Sequence, residues 1–388
     1  MKNTSVMSGD RVASVFLKSQ SNSAVKKAAR MCVCASLFAG LVGGAQAEDV
    51  GGELQVMAWE GYDLTVQAEA WRKAHNVTLE SASIASQDDV HTKFLTPNPP
   101  AIDLAEYNQA YSDLYINKLK IAKPINLENI PNYSADKVYS VFYDKPTWSQ
   151  DGKQWGIPWI WGMSTILFNP AKVSAEPTSY TDLLKPEYKG KIAIMDDATG
   201  SWPVAARVAG FGEKYPLLTR DELKAVFKEF SKYRNQARLI ALNQGDLANF
   251  MASGEVIAAL SADPAIISQV EAQGVEIKTA KPKEGVVLWV DAWFMPPGAD
   301  NVATAEAYMN QALDPKVQAE VAMALSQAPV SKDAQKFMDQ KSRDRYDLDN
   351  IDQTFDAGLP GIPPVEDDGA HATYSDWVSA WQEFKAGM

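Results

Sequence analysis

Trp59, Trp161, Trp202 and Trp289, together with Asp197 and Asp291, are the residues of this chain whose types suit them to act together. Indole faces carry negative quadrupole density and attract cations, each by roughly 0.5–2 kcal/mol once desolvated. A carboxylate beside them holds an ammonium through a charge-assisted hydrogen bond. The set describes a cage for an amine, and no catalytic machinery accompanies it. The only histidines are His75, His91 and His371, at no metal-ligand spacing. A Gly-x-Ser-x-Gly nucleophile elbow is absent. No cofactor and no catalytic residue is therefore expected.

Asp291 stands inside the apolar run Gly285–Phe294, with no basic residue near it in sequence. A carboxylate buried there costs several kcal/mol unless it is paired, so a ligand ammonium is the partner it calls for. A backbone or helix N-terminus is the bland alternative. Asp196 and Asp197 follow an apolar stretch, and the expectation is that one caps a helix while the other binds. Trp161 is balanced between the cage and packing at a hinge. Trp159 and Trp293 read as core, and Trp71, Trp377 and Trp381 as structural residues on helical stripes.

The elements that must position these groups alternate. Glu53–Trp59, Val77–Ser81 and Ile102–Glu106 read as strands, with a helical pattern from Thr65 to His75. Trp155–Gly162 is a stiff aromatic stretch bracketed by Pro158 and Gly162. Strands are expected at Thr165–Phe168, Lys191–Met195, Val256–Ser261 and Gly285–Phe294, and helices at Arg220–Lys232, Lys316–Ser326 and Tyr374–Lys385. Such alternation implies α/β lobes built on parallel sheets. Trp59, Asn108 and Asp197 each follow a predicted strand, where open α/β sheets bind ligands.

The first 47 residues have the character of a signal peptide rather than structure. Lys2, Arg11, Lys18, Lys26, Lys27 and Arg30 precede an apolar run from Met31 to Val42, and Ala45-Gln46-Ala47 supplies a small-x-small cleavage site. The run is too short to span a bilayer. Cys32 and Cys34 both fall inside it, so the exported, periplasmic chain carries no thiol. The net charge of −12 argues against nucleic acid or an anionic membrane as partner.

Taken in order, these segments resemble the spermidine/putrescine-binding proteins of bacterial ABC importers. Ile157-Pro-Trp-Ile-Trp-Gly162, Asp182-Leu-Leu-Lys-Pro-Glu-Tyr-Lys-Gly190, Asp196-Asp197-Ala198, Trp289-Val290-Asp291 and Lys385-Ala386-Gly387 carry the likeness. It implies a two-lobe type II periplasmic binding fold that closes by hinge bending. One lobe would hold residues 48–162 and 290–335, the other 163–289 and 336–388, with crossovers near Gly162 and Val290. It further implies Trp59, Tyr62, Asn108, Asp197, Trp289 and Asp291 as ligand groups, Asp291 taking an ammonium. The chain departs from the family at Gly200, where a second acid is usual, at Ala262, where a ring is usual, and at Ala110 and near Gln327, where tyrosines are usual. Trp202, Asp263 and Tyr111 would compensate.

Arg207 is a separate matter. Facing the cleft, it would clamp a carboxylate and make the ligand zwitterionic, such as 4-aminobutyrate, a betaine or an opine. On the surface it would leave a polyamine as the ligand. The expected partners are a small amine and ABC permease subunits, with the protein a monomer. A secreted hydrolase or metalloenzyme and a sensor subunit are the competing classes.

Overall fold

The computed structural model describes residues 50–387, except 85 and 357. The expected signal peptide lies outside the described residues. No helix among them is long and apolar enough to cross a membrane.

The framework is a continuous mixed sheet. Strands β1 (Gly52–Ala58), β2 (Val77–Ser83) and β3 (Leu104–Asn108) run parallel, with β1 between the other two. After a small hairpin of β4 (Ser149–Gln150) and β5 (Lys153–Gln154) comes β6, twelve residues from Ile157 to Phe168, all buried. A second parallel group follows: β7 (Ile192–Met195) lies between β8 (Ala237–Ala241) and β9 (Ala258–Ala262). Short β10 (Lys278–Ala280), long β11 (Val287–Phe294) and short β12 (Ala328–Pro329) complete the set. The spatial order is β2-β1-β3-β11-β6-β9-β7-β8, with β10 and β12 also on β6. β6 and β11 run antiparallel to their neighbours and join the two parallel groups.

The sequence divides 155–168 into an aromatic stretch and a short strand, yet β6 is a single strand across both. Pro158 lacks an N–H for the ladder. The register against β11 slips at that point: Asp291 pairs with Ile160 and Ala292 with Pro158, so Trp159 is bulged out. A bulge of this kind absorbs the missing bond and re-aims the facing side chain, which here is Asp291. The sequence pattern sees the proline but not the bulge that accommodates it.

Two large cores flank the changeover on β6. Leu54, Val56, Trp159, Trp161, Met163 and Trp293 belong to one, and Ile166, Phe168, Ile194, Phe230 and Trp377 to the other. On β11 the switch falls between Val287 and Leu288. Met338, Tyr346, Leu348 and Ile351 join the first core, against the expectation that all of 336–388 packs with the second lobe. The reason is local. β12 is already hydrogen-bonded to the first half of β6, and Tyr346 Oη donates to Ser326 O at 2.8 Å, which holds the next helix there. From this part of the chain the second core takes Ala372 and the last helix, Tyr374–Ala386, through Trp377, Trp381 and Phe384. It starts from a capping box between Thr373 and Asp376.

Candidate functional site

The carboxyl ends of β1, β3, β7 and β9 bring Trp59, Asn108, Asp197 and Asp263 to the same region, and β11 brings Trp289 and Asp291. A small cavity lies between the two parallel groups. It is lined by Asn108–Tyr111 on one side, by Ala198, Thr199 and Trp202 on the other, and by Trp289, Tyr215 and residues 360–362. Its free space is about 10 Å³, room for roughly one water. The two walls are therefore nearly in contact.

Asp291 is 5% exposed, and its Oδ1 accepts from Asn108 Nδ2 at 3.0 Å. Burial pushes its pKa up to about 8; the Asn108 bond opposes this, and Asp263 and Asp197 add to it. Asp263 is raised to about 7 by burial, with Asp197 adding, although the Ala265 N–H pulls it down. Glu106, 0% exposed, is held well above its usual range by burial and then by Asp291. Asp197 is raised by burial against bonds from Thr199 and Gly200. Asp197 and Asp263 are ringed by protein yet keep an edge open to solvent, whereas Asp291 and Glu106 do not. Among the described residues, no Lys, Arg or His forms an ion pair with any of these four acids. Such a group is costly unless it is protonated or given a cation.

Aromatic groups surround these acids. The Trp289 indole presses against Gly162, where any Cβ would overlap it. Tyr62 meets Trp159 edge-on at 5.4 Å and its Oη accepts from Gln327 Nε2 at 2.5 Å. Trp202 lines the cavity and packs on Tyr374 at 5.3 Å. Tyr111, also in the lining, shares a 3.0 Å hydroxyl contact with Tyr374.

Other predicted positions fall differently. Asp197 is the helix cap: Oδ1 accepts from Thr199 N at 3.1 Å and Oδ2 from Gly200 N at 3.0 Å. Asp196 accepts from Trp381 Nε1 at 2.7 Å and pairs with Lys385 at 2.8 Å, tying down the last helix. So the cap and the member turned to the acid cluster are the same residue. Arg207 donates to Val286 O at 2.5 Å and is absent from the cavity lining, because the base of β11 takes its guanidinium. Trp161 is core, its Nε1 donating to Pro329 O at 2.9 Å. Trp59 is half-buried beside Glu106, its backbone N–H donating to Glu106 Oε2 at 3.0 Å. At Gly200 a Cβ would sit 2.7 Å from Ser164 Oγ and 2.8 Å from Asp197 Oδ2, so the acid usual in the family does not fit.

The sequence reading missed Glu106 and Gln109. Glu106 interrupts an apolar strand as Asp291 does, and the same argument would have found it. Gln109 accepts from Val290 N at 2.7 Å and donates to Pro360 O at 3.2 Å, fixing the crossover and the segment above it. Nothing in the sequence marks that role.

The family model for bacterial extracellular solute-binding proteins matches residues 67–350. The chain belongs to this family. This solute-binding protein is similar to the spermidine/putrescine-binding periplasmic protein of Escherichia coli (strain K12), 28% identical over 303 residues covering 77% of this chain and 83% of the relative. It is also similar to the putrescine-binding periplasmic protein SpuD of Pseudomonas aeruginosa (strain UCBPP-PA14), 26% identical over 321 residues, 76% of this chain and 83% of that one. Among solved structures, the substrate-binding protein PotD of a spermidine/putrescine ABC transporter from Streptococcus pneumoniae aligns with a TM-score of 0.70 at 16% identity. That alignment covers 86% of this chain and 99% of the other. Both relatives are binding proteins, and the solved structure supports the two-lobe α/β fold expected from the sequence.

Proposed function

We propose that this solute-binding protein captures a polyamine of the putrescine or spermidine type in the periplasm and delivers it to the permease subunits of an ABC importer. The observation that carries this reading is the acid group itself. Burial raises the proton affinity of Asp291, Asp263, Asp197 and Glu106; Asp263 and Asp197 add to it at Asp291, Asp197 at Asp263 and Asp291 at Glu106, and no cationic side chain among the described residues pairs with them. A polyammonium supplies the missing charge, and Trp289 and Trp202 supply faces for its methylenes and its charge. The names of the relatives support the same ligand class.

Binding would close the two lobes about β6 and β11, with the first lobe extended to include 336–355. Asn108 and Asp291 approach the ligand from the first lobe, Asp197, Trp202 and Asp263 from the second. A zwitterionic ligand would need a cation in the cleft, and Arg207 is committed to Val286. The protein has no catalytic role in this scheme, acts as a monomer, and loses residues 1–47 on export.

Calorimetric titration of the mature chain with putrescine, spermidine, cadaverine, 4-aminobutyrate and glycine betaine tests the reading. Tight binding of a diamine or triamine is expected. Binding of 4-aminobutyrate or betaine alone would overturn it.

A further inference from the structure

Glu106 belongs to neither the expected cage nor the hinge. Its Oε2 is used by the Trp59 N–H, but its Oε1 is buried with no hydrogen-bond partner. The Trp159 indole N–H is directed at the same carboxylate without reaching bonding geometry. In the β3–β11 ladder Asp291 faces Asn108 and Trp293 faces Glu106. Side chains alternate along a strand, so Glu106, Asn108, Asp291 and Trp289 share one face of the sheet. Diagonal neighbours on such a face lie about 7–8 Å apart. That spacing accommodates one nitrogen bonded to both carboxylates at about 2.8 Å each.

A third unpartnered acceptor lies against Tyr62, beside the same carboxylates. Gln327, 2% exposed, spends its Nε2 on Tyr62 Oη and leaves its Oε1 buried without a partner. Tyr62 in turn feels the charges of Asp291, Asp263 and Glu106. Asp291 Oδ1 is occupied by Asn108, which leaves Oδ2 for a ligand. A primary ammonium carries three N–H donors, and a quaternary ammonium carries none.

We infer that Glu106, Asp291 and Gln327 form a three-acceptor subsite for a primary terminal ammonium, and that Glu106 sets the preference for unmethylated amine ends. The inference rests on the polyamine reading and refines it.

The test compares putrescine with its bis-quaternary analogue, N,N,N,N′,N′,N′-hexamethylputrescine, on the wild type and on Glu106→Gln by calorimetry. Glutamine keeps the volume and an acceptor for the Trp59 N–H but removes the charge. The wild type should favour putrescine strongly. Glu106→Gln should bind putrescine roughly tenfold to a hundredfold more weakly, the loss of one charge-assisted bond, and change little toward the methylated diamine. Gln327→Leu should weaken putrescine in the same sense, which covers the case of a poorly folded Glu106 variant. If the wild type binds putrescine and Glu106→Gln binds it equally well, the subsite is wrong while the polyamine reading stands. If the wild type binds both diamines alike, the subsite is again wrong. If it binds no amine, the functional reading fails and the subsite with it.

Discussion

Replacing Asp291 with asparagine should make the ligand-free protein more stable and the same protein a poor binder. The carboxyl is 5% exposed, and its pKa rises from 3.8 to about 8 on folding. Between those values the folded chain holds more protons than the unfolded one. Stability must therefore fall as pH rises from about 4 to about 8, and level off above that. At pH 7 the shift corresponds to roughly 4 kcal/mol of unfavourable work. The asparagine would be neutral at every pH, and its Oδ1 would still accept from Asn108. Asp291→Asn should thus match the wild type near pH 4 and exceed it by up to about 5 kcal/mol at pH 8. Urea unfolding of both proteins at pH 4.5, 7 and 8.5, without ligand, reads the difference directly. Putrescine affinity should fall at least roughly tenfold, the worth of a charge-assisted bond. An Asp291→Asn protein that is less stable at pH 8, with the pH dependence of the wild type, would refute the argument that this carboxyl is an unpaired burden.

Two further outcomes follow from the same geometry. With Asp291 at about 8 and Asp263 at about 7, both are substantially protonated at pH 7; an arriving ammonium lowers both, so binding should release about one proton. Calorimetry at pH 7 in buffers of differing ionisation heat would measure it, and affinity should rise with pH up to about 8; zero release would count against the acid group as the ligand site. Gly162→Ala should displace the Trp289 indole, costing about 1–3 kcal/mol of stability as overpacking does and weakening amine binding. Thermal unfolding and tryptophan fluorescence report the two effects, and a variant indistinguishable from the wild type would mean that Trp289 does not depend on its seat.

Most of the longer strands were legible because their apolar runs are short and bounded, and the helices read in the second half because their stripes are regular; β8, β10 and the helices Gln244–Ser253 and Val302–Ala312 were not read. Thr219 and Glu222, for instance, mark the start of the Arg220–Gln236 helix in plain sequence. Asp291 and Trp289 were legible for a different reason, an acid and a ring in a run that otherwise reads as buried strand. What stayed hidden were relations across the chain. Arg207 meets Val286 and Asp196 meets Lys385 only because β11 and the last helix return to the second core. Tyr346 joins the first core through a contact with Ser326, which no local pattern encodes. Glu106 was overlooked because it precedes the ring-bearing loop that drew the reading to Asn108.

The closing residues of the chain have a bearing on its synthesis. The first core draws on Met338, Tyr346 and Ile351, and the second on Trp377, Trp381 and Phe384. Each hydrophobic centre therefore lacks part of its substance until the last stretch of polypeptide exists. A growing chain can pair β1 with β2 early, yet it cannot bury either centre fully before translation is nearly over. Until those closing residues exist, apolar surface in both halves stays open to solvent, and a chain cut short before them would carry that surface exposed.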